Sequence, residues 1–139
     1  MIAVTIGTTS WRATASLAAG EVEYNGEILY ASDGVTPLMV WDAGLNNMRV
    51  MTSAEQLDVT RAASIAAINA ECRRRLIARY GSAEEQVSRS IGVYGDAERD
   101  SMLAGISATI DASNVASNAV IAATTAQEVE AVTVTWPAI

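Results

Sequence analysis

The groups in this chain that could do chemistry are sixteen carboxylates, nine arginines and one thiol, with many Ser and Thr hydroxyls; there is no His, no Lys and no Phe. Most familiar acid–base, nucleophilic and zinc chemistry needs an imidazole, a lysine or a set of thiols. What remains is Asp/Glu acid–base work, a Ser or Thr with an unusual partner, or an oxygen-ligand metal site. Asp96, Glu98 and Asp100 follow Gly95 and could supply oxygen ligands, but they lack the spacing and closing bidentate Glu of a calcium loop. Glu21, Glu23 and Glu27 could supply the carboxylate pair of a glycosidase only if two of them faced one cleft, and exposed charges on a hairpin are the commoner arrangement. Cys72 cannot form an intrachain disulfide and reads as a small buried hydrophobe within a helical pattern. No G-x-S-x-G, phosphate loop or dinucleotide fingerprint is present. These residues predict no catalytic site, no metal site and no cofactor.

The one dense basic cluster is Arg73-Arg74-Arg75 with Arg79. On a helix, Arg75 and Arg79 lie one turn apart and could grip a carboxylate on a partner. The commoner arrangement is a set of favourable cations near a helix C-terminus, paired with Glu71, Glu84 and Glu85. The net charge of −7 argues against a nucleic-acid backbone as the main partner. The opening Met1-Ile-Ala-Val has no basic segment ahead of it, so no signal peptide is expected. No apolar run reaches the ~18–20 residues of a membrane helix. Synthesis in a cytoplasm, without membrane partners, follows as an expectation.

The elements that must position these residues change character near residue 52. Residues 1–51 read as a small antiparallel β-unit. Met1–Ile6 is a short apolar run, and Trp11, Ala13, Ala15 and Leu17 alternate with polar residues as in a half-buried strand. Asn25-Gly26, with apolar alternation on both sides, predicts a tight hairpin, and Asp33-Gly34 marks a second turn. Leu38–Trp41 and Met48–Met51 read as another hairpin. Residues 52–139 read as two or three helices closed by a short strand. Thr52-Ser-Ala-Glu55 is a capping box, and Leu57, Arg61, Ile65, Ile68, Cys72, Leu76 and Tyr80 fall on one stripe ending at Gly81. Ser82 restarts a helix carrying Val87 and Ile91. A third helix is predicted from Asp96 to about Glu130, and Val132–Ile139 reads as the strand.

That third helix carries one charge, Asp111, between Ser101 and Gln127. Leu103, Ile106, Ile110, Ser113, Ser117, Val120 and Thr124 recur at spacings of three and four, a heptad seam. A helix uncharged all round is normally buried or packed on copies of itself. Large apolar anchors are few for 139 residues, and an oligomer would relieve a thin core.

Val40-Trp-Asp42, Met48-Arg49 and Met51-Thr-Ser-Ala-Glu55 lead into Ile68-Asn-Ala-Glu-Cys-Arg-Arg-Arg-Leu-Ile-Ala-Arg-Tyr-Gly-Ser-Ala-Glu-Glu-Gln86. This stretch resembles a helix of small tail-region proteins of double-stranded DNA bacteriophages, and Asp111–Val120 and Trp136-Pro137 are similar to fibre-associated chains. The resemblance, over residues 40–139, implies a non-enzymatic virion protein of the tail or tail fibre. Such a protein is made in the bacterial host and works by self-association, as a trimer or hexamer, and by contact with other tail proteins. Arg73, Arg74, Arg75 and Gln86, with Leu103, Ile106, Ile110 and Val120, are the expected interface. A fibre-assembly chaperone absent from the mature particle is the alternative. A carbohydrate- or receptor-binding module stacking ligands on Trp11, Trp41 or Tyr24 is another.

Overall fold

A computed structural model describes residues 1–5, 8, 10–26, 28–30, 37–42 and 47–138; the side chains of Trp41, Asn47 and Met48 lie outside that description, as do Asp33-Gly34 and Glu27. The fold is α+β, with antiparallel strands first and helices after them, as expected. The chain divides into two compact units, residues 1–60 and 61–139. The division falls inside the first helix rather than at residue 52.

The first unit holds two three-stranded antiparallel sheets. One has β1 (Ile2–Thr5) between β2 (Trp11–Ala13) and β3 (Glu21–Glu23); the other has β5 (Pro37–Asp42) between β4 (Leu29–Tyr30) and β6 (Asn47–Val50). Ala3 and Val4 of β1 are buried, as are Pro37, Met39 and Met51 in and beside β5 and β6. The β5–β6 hairpin forms as its alternation predicts, with Met39 opposite Val50 and Val40 opposite Arg49. The hairpin expected at Asn25-Gly26 does not form. Its two arms join different sheets, Val22 pairing with Val4 and Leu29 with Met39. Gly26 still takes φ +91°, so the dipeptide bends the chain between sheets instead of closing one. The period-2 pattern after Trp11 also misleads: β2 ends at Ala13, its side chains are exposed, and Leu17 lies outside any strand.

Ion pairs tie these short strands together. Arg12 on β2 gives two 2.8 Å hydrogen bonds to Glu21 on β3, spanning β1. Arg49 on β6 donates to Asp42 at 2.9 Å and, through both terminal nitrogens, to Glu55 at 2.6 Å. Glu55 also completes the capping box: it accepts from the Thr52 amide while the Thr52 hydroxyl accepts from the Glu55 amide. Gln56 donates to the Pro37 carbonyl at 2.6 Å. These contacts fasten the first turns of α1 (Ser53–Tyr80) to the β4–β5–β6 sheet, which is why the unit boundary lies beyond residue 52.

The second unit is an antiparallel helix pair. The main part of α1 packs on α3 (Asp96–Ala122), with α2 (Ala83–Ser90) between them in sequence and α4 (Ala126–Glu130) after them. The pairing is read from four contacts. The Tyr80 hydroxyl lies where a methyl on Gly105 would be; the Cys72 thiol donates to the Thr109 carbonyl at 3.9 Å; Ser113 donates to Asn69 at 3.4 Å; Arg61 donates to the Ala123 carbonyl. Each step forward on α3 is a step back on α1. The α1 stripe is as expected, with Ile68 and Cys72 buried and Leu57, Arg61, Ile65, Leu76 and Tyr80 half-buried. Gly81 (φ +84°) ends α1, and Ser82 and Glu85 form the reciprocal cap of α2.

Two expectations fail in this unit. The third helix does not reach Glu130. It stops at Ala122 because the Glu128 carboxylate takes the Thr124 amide and hydroxyl and the Thr125 hydroxyl takes the Glu128 amide, a local cap that starts α4. Nor is residues 132–138 a strand: it has no ladder partner among the described residues. It keeps the alternation, with Val132, Val134 and Trp136 half-buried and Thr133 and Thr135 exposed, but lies along helices instead of a sheet. No helix among the described residues is long and apolar enough to cross a membrane.

The fully buried Val120 belongs to the face of α3 that meets α1. Val120→Ala should lower unfolding stability by about 2 kcal/mol, and Val115→Ala, at a residue 71% exposed, by less than about 0.5 kcal/mol; thermal melts of both compare them directly. In the first unit, the Arg49 guanidinium and then the Thr52 groups hold the Glu55 carboxyl down from an ordinary 4.5 to about 2. The folded state therefore favours ionised Glu55. Its contribution is complete above pH 4.5 and drains away as pH falls toward 2. Glu55→Gln should lower the urea midpoint at about pH 6 and match wild type at about pH 2; an equal gap at both values would assign the effect to shape, not charge.

Candidate functional site

The basic cluster occupies the last turns of α1. Glu71 accepts two 2.7 Å bonds from Arg74 and one 2.7 Å bond from Arg75, in the i,i+3 and i,i+4 relations that helical geometry provides. Arg74, then Arg75, pulls the Glu71 carboxyl down to about 2, so Glu71 stays a fixed anion. The same bond raises the Arg74 guanidinium above its usual value. Arg75 lies with its guanidinium 5.0 Å from the centre of the Trp136 ring, within cation–π range. Arg79 sits 5.9 Å from the Tyr80 ring, and Arg73 is exposed. Gln86 is engaged internally: its amide donates to the Gly81 carbonyl at 2.9 Å, closing the turn between α1 and α2. Of the four residues expected at an interface here, Arg73 and Arg74 lie at the surface, Arg75 clamps the C-terminal segment and Gln86 holds a turn.

The acidic groups are paired as well. Asp96 and Asp100 both receive Arg99, at 3.2 and 3.0 Å, and Glu98 lies 3.7 Å from Arg89. Arg12, and then the Ala18 amide, hold the Glu21 carboxyl down to about 2. Among the described residues, no group of three or more His, Cys, Asp or Glu is placed to hold a metal ion. Cys72 is buried. Trp11 is 37% exposed on a strand edge and Tyr24 is half-buried, while the side chain of Trp41 lies outside the described residues.

The apolar expectations on α3 divide. Leu103 and Ile110 are 45% and 41% exposed, Ile106 is half-buried and Val120 is fully buried. Val120 is therefore a core residue of the helix pair and not an interface residue. The cause is geometric. The buried face steps by seven through Met102, Thr109, Ala116 and Ala123, one residue before Leu103, Ile110, Ser117 and Thr124 of the expected seam, and the two share Ser113 and Val120. In full, the buried face is Met102, Thr109, Ser113, Ala116, Val120 and Ala123.

Beside that face runs an unpartnered apolar stripe of Leu103, Ile110 and Ile121, the last 59% exposed. At its N-terminal end a groove of about 320 Å³ opens between α2 and α3, lined by Val87, Met102, Leu103 and Ile106 among others. Val87 and Ile91, expected to anchor α2, are 61% and 73% exposed, and Val93 and Tyr94 in the following turn are also exposed. Gly92-Val-Tyr-Gly95 follows the end of α2. Three large apolar side chains around a glycine-bounded turn were the available sign that something other than this chain's core covers them.

These features define a two-unit α+β chain whose helical unit carries a basic helix end and an uncovered apolar face. No family model, curated protein or solved structure matches it.

Trp136 should report on the Arg75 clamp. Arg75→Ala removes a contact of about 1 kcal/mol and should release residues 132–138, seen as faster amide exchange there with helix content unchanged. Unaltered protection after Arg75→Ala would mean that packing alone holds the segment.

Proposed function

We propose that this chain is a non-enzymatic structural protein of a bacteriophage tail or tail fibre, acting by self-association and by contact with other virion proteins. The observation that carries the reading is the uncovered apolar stripe of α3, continued by Val87, Ile91, Val93 and Tyr94. Scattered apolar residues are ordinary on a protein surface, but apolar residues gathered at a groove, as Val87, Leu103 and Ile106 are, mark a contact surface. The stripe has no charge of its own: Asp111 is the one charged residue between Ser101 and Gln127. Copies of the chain can meet along it without burying an ion. The similarity of residues 68–86 to a helix of phage tail-region proteins supports the virion setting, and Arg73 and Arg74 are exposed there to meet acidic groups on another tail protein.

Light scattering during gel filtration tests the self-association. Wild type should elute as a discrete oligomer, a trimer or hexamer. Leu103→Asp or Ile110→Asp should raise the dissociation constant on the order of a hundredfold and give monomer with helix content intact. Val115→Asp, at an exposed residue on another side of α3, should leave the mass unchanged. A wild-type monomer, or an oligomer indifferent to both α3 substitutions, would sink the assembly role.

A further inference from the structure

We propose that the small cavity at the C-terminal end of α1 is a binding site for a small oxyanion, a carboxylate or a phosphate. The cavity holds about 40 Å³, room for a small head group, and is lined by Arg75, Arg79, Tyr80, Thr109, Pro137 and Ala138. Its lining is assembled from three places in the chain. The side chain of Tyr80 lies over Gly105, where any larger residue would displace it; Thr109 follows one turn later on α3; and residues 137–138 arrive with the segment that Arg75 clamps through Trp136.

The polar groups around this cavity are mostly donors without acceptors. Arg75 uses Nε on Glu71, and its terminal nitrogens make no hydrogen bond among the described residues. Arg79 lies against the Tyr80 ring and makes no hydrogen bond or ion pair among the described residues, and the Tyr80 hydroxyl likewise has no hydrogen-bond partner among them. The Thr109 hydroxyl already donates to the Gly105 carbonyl at 2.8 Å. No Asp or Glu is among the described residues that line the cavity. Glu71 is shared between Arg74 and Arg75, which leaves Arg79 in excess. A pocket of donors with surplus positive charge takes a guest that only accepts hydrogen bonds and carries negative charge. Arg75 is also pre-oriented. Its Nε is fixed by Glu71 and its face by Trp136, so binding costs little of the rotamer freedom that usually weakens arginine contacts. The inference stands on the helical unit alone and does not require the assembly role proposed above.

The test uses the purified full chain labelled with 15N and the indole signal of Trp136, assigned through Trp136→Phe. Sodium phosphate and sodium acetate are titrated separately at constant ionic strength, with sodium chloride as the reference. The expected result is a saturable shift with a dissociation constant on the order of millimolar, absent with chloride. Arg79→Gln should weaken binding at least tenfold and Tyr80→Phe severalfold, while Arg73→Gln should leave it unchanged. Tighter binding of acetate assigns the site to a carboxylate such as a protein side chain presents, and tighter binding of phosphate assigns it to free phosphate. A shift that fails to saturate, that chloride reproduces, or that survives Arg79→Gln in a folded protein overturns the site.

Discussion

The helical unit depends on how α3 fits against α1 with small side chains. Along the seam, α3 and the residue after it offer Gly105, Thr109, Ser113, Ala116 and Ala123, and α1 answers with Tyr80, Cys72, Asn69 and Arg61. Small residues on one side leave room for larger ones from the other, and the buried hydroxyls do not go unpaired. Thr109 bonds back to Gly105 and Ser113 reaches Asn69. This complementarity replaces the large aliphatic layers that the chain lacks. It also makes the rest possible: the Tyr80 side chain folds over Gly105, the Arg61 guanidinium reaches a carbonyl at the end of α3, and residues 132–138 return along the pair until Trp136 meets Arg75.

Arginine does the corresponding work among the charges. With no lysine, every side-chain cation is a planar fork, and several are used as forks: Arg12 on Glu21, Arg49 on Glu55, Arg74 on Glu71. Exposed pairs of this kind add little stability each. Their value here is positional. Two- to six-residue strands carry few backbone bonds, and Arg12 and Arg49 each link elements that the ladders leave apart. The absence of histidine adds a further constraint. The chain lacks the one side chain whose ordinary charge change falls near neutral pH.

Most elements were legible because they rest on local chemistry. Thr52 with Glu55 and Ser82 with Glu85 announce helix starts, Gly81 announces a stop, and the β5–β6 hairpin follows from alternation within one short stretch. What failed needed information from a distance. Asn25-Gly26 carries the signal of a hairpin, but β1 and β5 are better partners for its two arms than the arms are for each other. Val132–Trp136 carries the period of a strand, and only its surroundings on the helix pair decide that no strand forms. Of the candidate site, the arginines were visible as a cluster, whereas the roles of Trp136 and Tyr80 depend on contacts far apart in sequence, Arg75 with Trp136 and Tyr80 with Gly105.

The heptad on α3 is the most instructive of these cases, because it was neither right nor wrong as a whole. Its positions at Ser113 and Val120 are inside the helix pair, and its positions at Leu103 and Ile110 are outside. The face that meets α1 steps by seven as well, through Met102, Thr109, Ala116 and Ala123 with Ser113 and Val120, but it begins one residue before the expected seam. Of the remaining positions, Leu103 and Ile110 face outward as apolar side chains, while Ser117 and Thr124 are polar. A helix whose sole duty was to pack on α1 would gain nothing from Leu103, Ile110 and Ile121 on that flank, and polar residues there would cost it no core contact. In the assembly proposed above, these residues would form the second face of α3, beside the one that meets α1.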